Sequence, residues 1–162
     1  MKVVTEAKTK EEALKKALDE LKVNENEIFY KEESIKGKLF KSGSVKIYAY
    51  TDDEILESIK KFITEIVTNM GLEVNFETNI RDKQFNLKMF SNNNAILIGK
   101  NARTMKAIEM LARKKIQVEY GIRVTIFLDV ENYNEKRIKQ LERLAITTAK
   151  EVSRSKIEVA LD

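Results

Sequence analysis

The sequence contains neither cysteine nor histidine among its 162 residues. Without cysteine the chain can form neither disulfides nor thiolate nucleophiles. Without histidine it lacks the base of Ser-His and Cys-His catalytic systems and a common ligand of zinc. No acidic cluster has the spacing of a calcium-binding loop. The nearest approach to a carboxylate pair, Asp129 with Glu131, has no partner that would complete an acid-base site, and we interpret it as a domain junction. These absences predict a protein that is not an enzyme and binds no metal or other cofactor.

Long apolar runs are also missing. No stretch of 18 or more apolar residues exists that could span a membrane. The N-terminus, with Glu6 and alternating lysines, does not have the pattern of a signal peptide. The sequence therefore predicts a cytoplasmic protein with no membrane insertion.

Charge, in contrast, is abundant and unevenly distributed. Charged residues make up 35% of the chain, whose formal net charge is +4. Residues 94–128 carry seven basic and only two acidic side chains, the largest excess of any part of the chain. A basic excess concentrated in one segment is typical of a polyanion partner. The alternative is an ordinary lysine-rich surface, because residues 113–115 lie near the end of a predicted helix, where cations are favoured anyway.

The basic segment is predicted to form two helices joined by a turn. The first helix ends at Gly99, which can adopt the left-handed conformation, and the second begins at Ala102. The start of a helix presents unpaired backbone N–H groups and a partial positive charge, which suit a phosphate oxygen. The candidate phosphate-binding residues are Gly99, Lys100, Asn101, Ala102, Arg103 and Lys106, and the candidate base-contacting side chains are Ile98, Met105 and Ile108. The alternative is a helix C-cap flanked by solvated lysines.

Residues 52–130 are predicted to follow the order α-β-β-α-α-β, with the glycine turn between the last two helices. This order resembles the type II K-homology (KH) fold, whose Gly-x-x-Gly loop clamps a nucleic-acid backbone. Here the loop reads Gly99-Lys100-Asn101-Ala102, so alanine stands at the fourth position. We expect its methyl group to lie where the backbone approaches the phosphate most closely, and to weaken tight binding.

Residues 1–50 are predicted to form a small β-α-β-β unit. A capping box at Thr9 opens the helix, and the three strands are expected at 2–7, 27–33 and 45–50. The loop over 37–44 carries Leu39 and Phe40, which either form an exposed binding tip or fold back on the sheet. The unit resembles the Jag N-terminal domain, and the loop residues that match that family are Leu39, Phe40, Gly43 and Ser44.

Residues 131–162 are predicted to form a long amphipathic helix followed by a short strand at 157–161. They resemble the start of the Arg-x-x-x-His domain that follows the KH domain in Jag proteins. The signature for which that domain is named is absent, because the chain has no histidine.

The chain is therefore similar to the Jag family over nearly its whole length, with an α+β fold class. The resemblance implies a Jag N-terminal-like domain at 1–50, a type II KH domain at 52–130 and a partial Arg-x-x-x-His domain at 131–162. It further implies a bacterial protein that binds single-stranded RNA, associates with another small KH protein and acts near cell-envelope growth or sporulation. A homo-oligomer is left open.

The rival hypothesis is a protein-protein interaction platform that keeps the KH fold but has little or no affinity for nucleic acid. The apolar pair Leu39 and Phe40 and the alanine at position 102 favour it.

Overall fold

Two three-stranded sheets, each covered on one face by helices, form the protein in a computed structural model that describes residues 2–36 and 43–160. The predicted α+β class is confirmed. The predicted loop tip at Leu39 and Phe40 lies outside the described residues. In chain order the elements are β1 (Lys2–Ala7), α1 (Lys10–Leu21), β2 (Ile28–Ile35), β3 (Ser44–Thr51), α2 (Asp52–Asn69), β4 (Val74–Arg81), β5 (Gln84–Ser91), α3 (Asn94–Ile98), α4 (Arg103–Tyr120), β6 (Thr125–Val130) and α5 (Tyr133–Ser155).

The first sheet has the order β1-β3-β2, and both of its strand pairs are antiparallel. Helix α1 begins where predicted, since the Thr9 side chain accepts a hydrogen bond from the backbone N–H of Glu12 at 3.2 Å. The helix packs its small apolar side against β1 and β3. The core between them is small and consists of Val3, Ala13, Leu14, Ala17, Ile28, Ile47 and Ala49.

The second sheet has the order β4-β5-β6, in which β4 and β5 are antiparallel and β5 and β6 are parallel. Parallel neighbours cannot be joined by a tight turn, so the chain needs a crossover between them. Helices α3 and α4 provide that crossover. Helix α2 covers the same core with four residues that repeat at helical spacing, which are Ile55, Ile59, Ile63 and Val67.

The two sheets contact each other through aromatic and charged side chains. Phe29 stacks on Phe85 with ring centroids 5.7 Å apart. Lys83 reaches across from the β4–β5 turn, and its Nζ lies 2.8 Å from both the Asp52 carboxylate and the Ile28 carbonyl oxygen. These contacts place the N-terminal sheet directly against the second one.

Helix α5 is confirmed, but the strand predicted to follow it is wrong for the part that the structure describes. Residues 156–160 belong to no strand, and Ile157 and Val159 are exposed. A strand needs a neighbour for its backbone groups, and neither sheet pairs with this segment. Among the described helices, none combines the length and apolar character needed to cross a membrane.

Candidate nucleic-acid interface

The turn between α3 and α4 depends on Gly99. This residue has φ 68° and ψ 177°, a combination that only glycine adopts without strain. A Cβ atom at this position would also overlap the side-chain hydroxyl of Thr104. The predicted left-handed conformation of Gly99 is thus correct in the sign of φ but wrong in ψ. The left-handed residues are instead Asn101, with φ 54° and ψ 37°, and Ala102, with φ 60° and ψ 20°.

Ala102 directs its methyl group into the protein. The residue is only 3% exposed and belongs to the core of the second sheet. The expectation that this methyl group lies against an approaching phosphate is therefore wrong, because the left-handed backbone turns the Cβ atom toward the core. The fourth loop position contributes packing, and the alanine does not obstruct the exposed side of the turn.

Backbone N–H groups in the turn divide into two pairs. The N–H of Ala102 donates to the Gly99 carbonyl oxygen at 3.3 Å, and that of Arg103 donates to the Lys100 carbonyl oxygen. The N–H groups of Lys100 and Asn101 have no hydrogen-bond acceptor within residues 2–36 and 43–160. Helix α4 also begins without a side-chain cap. The predicted phosphate site therefore retains two amides, those of Lys100 and Asn101, that no described residue occupies.

The cations beside the turn are not neutralised. Lys100, Arg103 and Lys106 are exposed, and none of them forms an ion pair with any described residue. Farther along α4 the situation differs. Lys115 lies 2.7 Å from the Glu119 carboxylate, and the hydrogen bond between them raises the pKa of Lys115. The start of α4 therefore presents three cations that no described carboxylate neutralises.

The predicted apolar contacts are only partly accessible. Met105 and Ile108 are 2% and 3% exposed, because they lie on the face of α4 that packs against the sheet. Their burial corrects the prediction that they offer surface to a base. Ile98 is half-buried, and Ile96, which sequence reasoning missed, is 47% exposed. The available signal was the run of three apolar residues at 96–98, because consecutive residues of a helix point in different directions and cannot all face the core. Only Leu97 of this helix is fully buried.

The carboxylates of Asp129, near the end of β6, and Glu131, just after it, interact with the start of α5. Asp129 accepts a hydrogen bond from the Asn134 backbone N–H at 3.1 Å, and Glu131 pairs with Lys136 at 3.4 Å. No group of three potential ligands that could hold a metal ion occurs among the described residues. These contacts support the interpretation of Asp129 and Glu131 as a junction.

Comparison with known proteins identifies similar sequences. Residues 54–137 match the family described as KH domain. The chain is 30% identical to the RNA-binding protein KhpB of Clostridium symbiosum over 165 residues, an alignment that covers 99% of this chain and 74% of the relative. It is 27% identical to the RNA-binding protein KhpB of Lactiplantibacillus plantarum over 111 residues, 68% of this chain and 34% of the relative. Over 68 residues, 42% of this chain and 33% of the relative, it is 35% identical to the RNA-binding protein KhpB of Bacillus subtilis.

Proposed function

This chain belongs to the KhpB, or Jag, family of KH-domain proteins, and from that membership we propose that it binds single-stranded RNA at the turn between α3 and α4. The observation that carries the proposal is an open turn held in place by a glycine that no other residue can replace without strain. Within the part of the chain that the structure describes, two amides of this turn have no acceptor and three cations beside it have no ion-pair partner.

In this proposal the RNA backbone occupies the turn. One phosphate accepts hydrogen bonds from the N–H groups of Lys100 and Asn101, and the side chains of Lys100, Arg103 and Lys106 supply charge. Phosphate contacts position a strand without reading its sequence. Bases of a single strand are free to leave the stack and rest on apolar side chains, which a duplex does not permit. Ile96 and Ile98 are the apolar side chains beside the turn that remain accessible.

Fluorescence anisotropy with a pool of fluorescein-labelled RNAs of randomised sequence tests the site. The variant Lys100→Asp with Asn101→Asp reverses its charge, and aspartate is among the residues that tolerate the left-handed backbone at position 101. We expect affinity to fall about tenfold or more, since charged contacts to phosphate dominate affinity. Lys150→Glu with Ser153→Glu, at exposed positions of α5, changes the net charge equally and should leave affinity unchanged.

Salt dependence provides a second criterion. The logarithm of affinity should fall linearly with the logarithm of salt concentration, by about 0.7 for each phosphate contact to a single strand. Unchanged affinity in the folded loop variant, or a salt response equal to that of wild type, would show that RNA binds elsewhere.

A protein-protein platform is the second candidate function. The observation that favours it is an apolar stripe on α5, where Ile138, Leu141 and Leu144 are exposed. Another small KH protein, which the family resemblance implies, is the candidate partner. Recovery of a protein partner after nuclease treatment, with no RNA in the complex, would favour this function over RNA binding.

The remaining expectations from the sequence stay predictions. We propose domains at 1–50, 52–130 and 131–162, a cytoplasmic location and a role near cell-envelope growth or sporulation. The separate cores of the two sheets support the first boundary, although Tyr50 at the end of β3 already packs into the second core. Limited proteolysis followed by mass spectrometry would test where the boundaries fall.

A further inference from the structure

The first sheet has an outer face that α1 does not cover. Strand register places Val4, Tyr48 and Lys31 in one row across the three strands on this face. Val4 and Lys31 are exposed and Tyr48 is half-buried. Tyr48 also packs against the core of the second sheet, so Val4 and only part of the Tyr48 ring remain accessible on this face.

Three lysines surround the Tyr48 ring. The Nζ atoms of Lys46, Lys2 and Lys31 lie 5.4, 5.7 and 5.8 Å from the ring centroid. The Tyr48 hydroxyl donates to the Glu33 carboxylate at 3.1 Å, and none of the three lysines forms an ion pair with a described residue. One cation is enough for a cation–π contact. Three ammonium groups around one ring repel each other. The carboxylates of Glu33 and Glu6, which lie opposite Lys46 in the strand register, offset part of this charge, and an additional anion would relieve the remainder.

This face adjoins the far end of α4. The Lys31 stem lies so close to Gly121 that a Cβ atom there would approach the Lys31 Cδ to 2.7 Å. Tyr50, on the same sheet, meets Tyr120 edge to face with centroids 4.9 Å apart. A cavity of about 300 Å³ opens between α4 and the segment that precedes β6, and its lining residues are Met110, Arg113, Lys114, Gln117, Arg123 and Val124.

Basic side chains continue from this cavity to the loop site, which is the turn between α3 and α4. Along α4 the exposed cations Arg103, Lys106, Arg113 and Lys114 recur on one side of the helix. Arg113 is paired with Glu109, whereas Lys114 forms no ion pair with a described residue. These four cations extend along about 17 Å of a helix that is about 27 Å long, from its start toward the end that adjoins the first sheet.

We propose that the outer face of the first sheet is a second contact surface for the same RNA strand, with a base stacked on Tyr48 and phosphates held by Lys2, Lys31 and Lys46. The proposal rests on the function proposed above and deepens it. Lysine side chains are flexible, so their ammonium groups can leave the Tyr48 ring and contact phosphates of the RNA. The ring then provides a stacking platform that accepts any base. The strand then passes along α4, and the protein binds a longer RNA than the four nucleotides that a KH loop clamps.

Two RNA lengths separate the two surfaces. Anisotropy is measured with randomised, labelled RNAs of about four nucleotides, which fit the loop alone, and of about 16 nucleotides, which can reach both. Tyr48→Leu removes the aromatic ring, and Tyr48→Phe keeps it while removing the hydroxyl that bonds Glu33. We expect Tyr48→Leu to weaken the longer RNA at least about fivefold and to leave the shorter one unchanged. Tyr48→Phe should bind both as wild type does.

A variant that changes charge alone tests the same surface independently, in case Tyr48→Leu does not fold. Lys31→Gln with Lys46→Gln leaves the ring in place and should lower the salt slope for the longer RNA by about 1.4, from two lost phosphate contacts. Lys150→Gln with Arg154→Gln is the matched control on α5 and should change neither RNA. Circular dichroism establishes that each variant is folded.

The outcomes distinguish the two proposals. If the longer RNA binds the folded Tyr48 and lysine variants as tightly as wild type, the second surface is overturned while the loop site stands. If Lys100→Asp with Asn101→Asp leaves the shorter RNA bound, the loop site is overturned.

Discussion

Each sheet joins parallel strands by a helical crossover, but one crossover is continuous and the other is broken. Helix α1 connects β1 to β2, which are both antiparallel to β3, and its N-terminus is closed by Thr9. The crossover from β5 to β6 is divided at Gly99 into α3 and α4. The Thr9 side chain caps the start of α1, whereas α4 begins without a side-chain cap, beside three cations that pair with no described carboxylate. The proposed binding site lies where the crossover of the second sheet is interrupted, at a position that has no counterpart in the continuous helix α1.

Loss of the anchor of α3 should have the largest effect. Leu97 is the only buried residue of this five-residue helix. Leu97→Ala should therefore lower the free energy of unfolding by about 2–5 kcal/mol and reduce RNA affinity. Urea denaturation and anisotropy measure the two effects. Ile96→Ala, at the exposed neighbour, should lower stability far less, and equal losses for both variants would contradict the anchoring role.

Filling the break itself should be nearly as severe. Gly99→Ala adds a Cβ in a backbone conformation reserved for glycine and overlaps Thr104, so we expect a loss of about 2–4 kcal/mol in the free energy of unfolding. Gly71→Ala is the matched control, because Gly71 has φ 76° and no atom within 4 Å of the added Cβ. It should lose only about 1 kcal/mol. Thermal unfolding measures the loss of stability in both variants, and equal losses would contradict the predicted overlap with Thr104.

Damage to the continuous crossover should affect stability and not binding. Thr9→Ala removes the hydrogen bond that closes α1 and should lower the free energy of unfolding by about 1 kcal/mol. RNA affinity, measured at a temperature where the variant is fully folded, should equal that of wild type. A loss of affinity would mean that the two crossovers are energetically coupled.

The smallest effect is expected at the fourth loop position. Ala102→Gly removes about 1 kcal/mol of left-handed strain and also removes a buried methyl group worth about 0.8 kcal/mol. The two contributions oppose each other, so the free energy of unfolding should change by less than about 1 kcal/mol. RNA affinity should stay within about twofold, because the methyl group faces the core. A large gain in affinity would show that the methyl group does obstruct the ligand.

Local patterns predicted most of the elements. The Thr9 side chain accepts a hydrogen bond from the backbone N–H three residues later, as its capping spacing predicted, and Thr51 makes the same contact at the start of α2. The position of the broken crossover followed from Gly99 and the basic residues after it. Predictions failed where they concerned which way a side chain faces or which strand a segment pairs with. Met105 and Ile108 share the buried face of α4, and residues 156–160 have alternating apolar residues but no strand to pair with.

The sequence by itself determined the order of the elements, the open basic turn and the absence of histidine and cysteine chemistry, because each depends on neighbouring residues or on composition alone. Only the tertiary structure decided that the Ala102 methyl group faces inward and that Tyr48 and its lysines lie beside the end of α4. Both depend on packing between residues far apart in the chain, and no local periodicity encodes which faces of two sheets will meet.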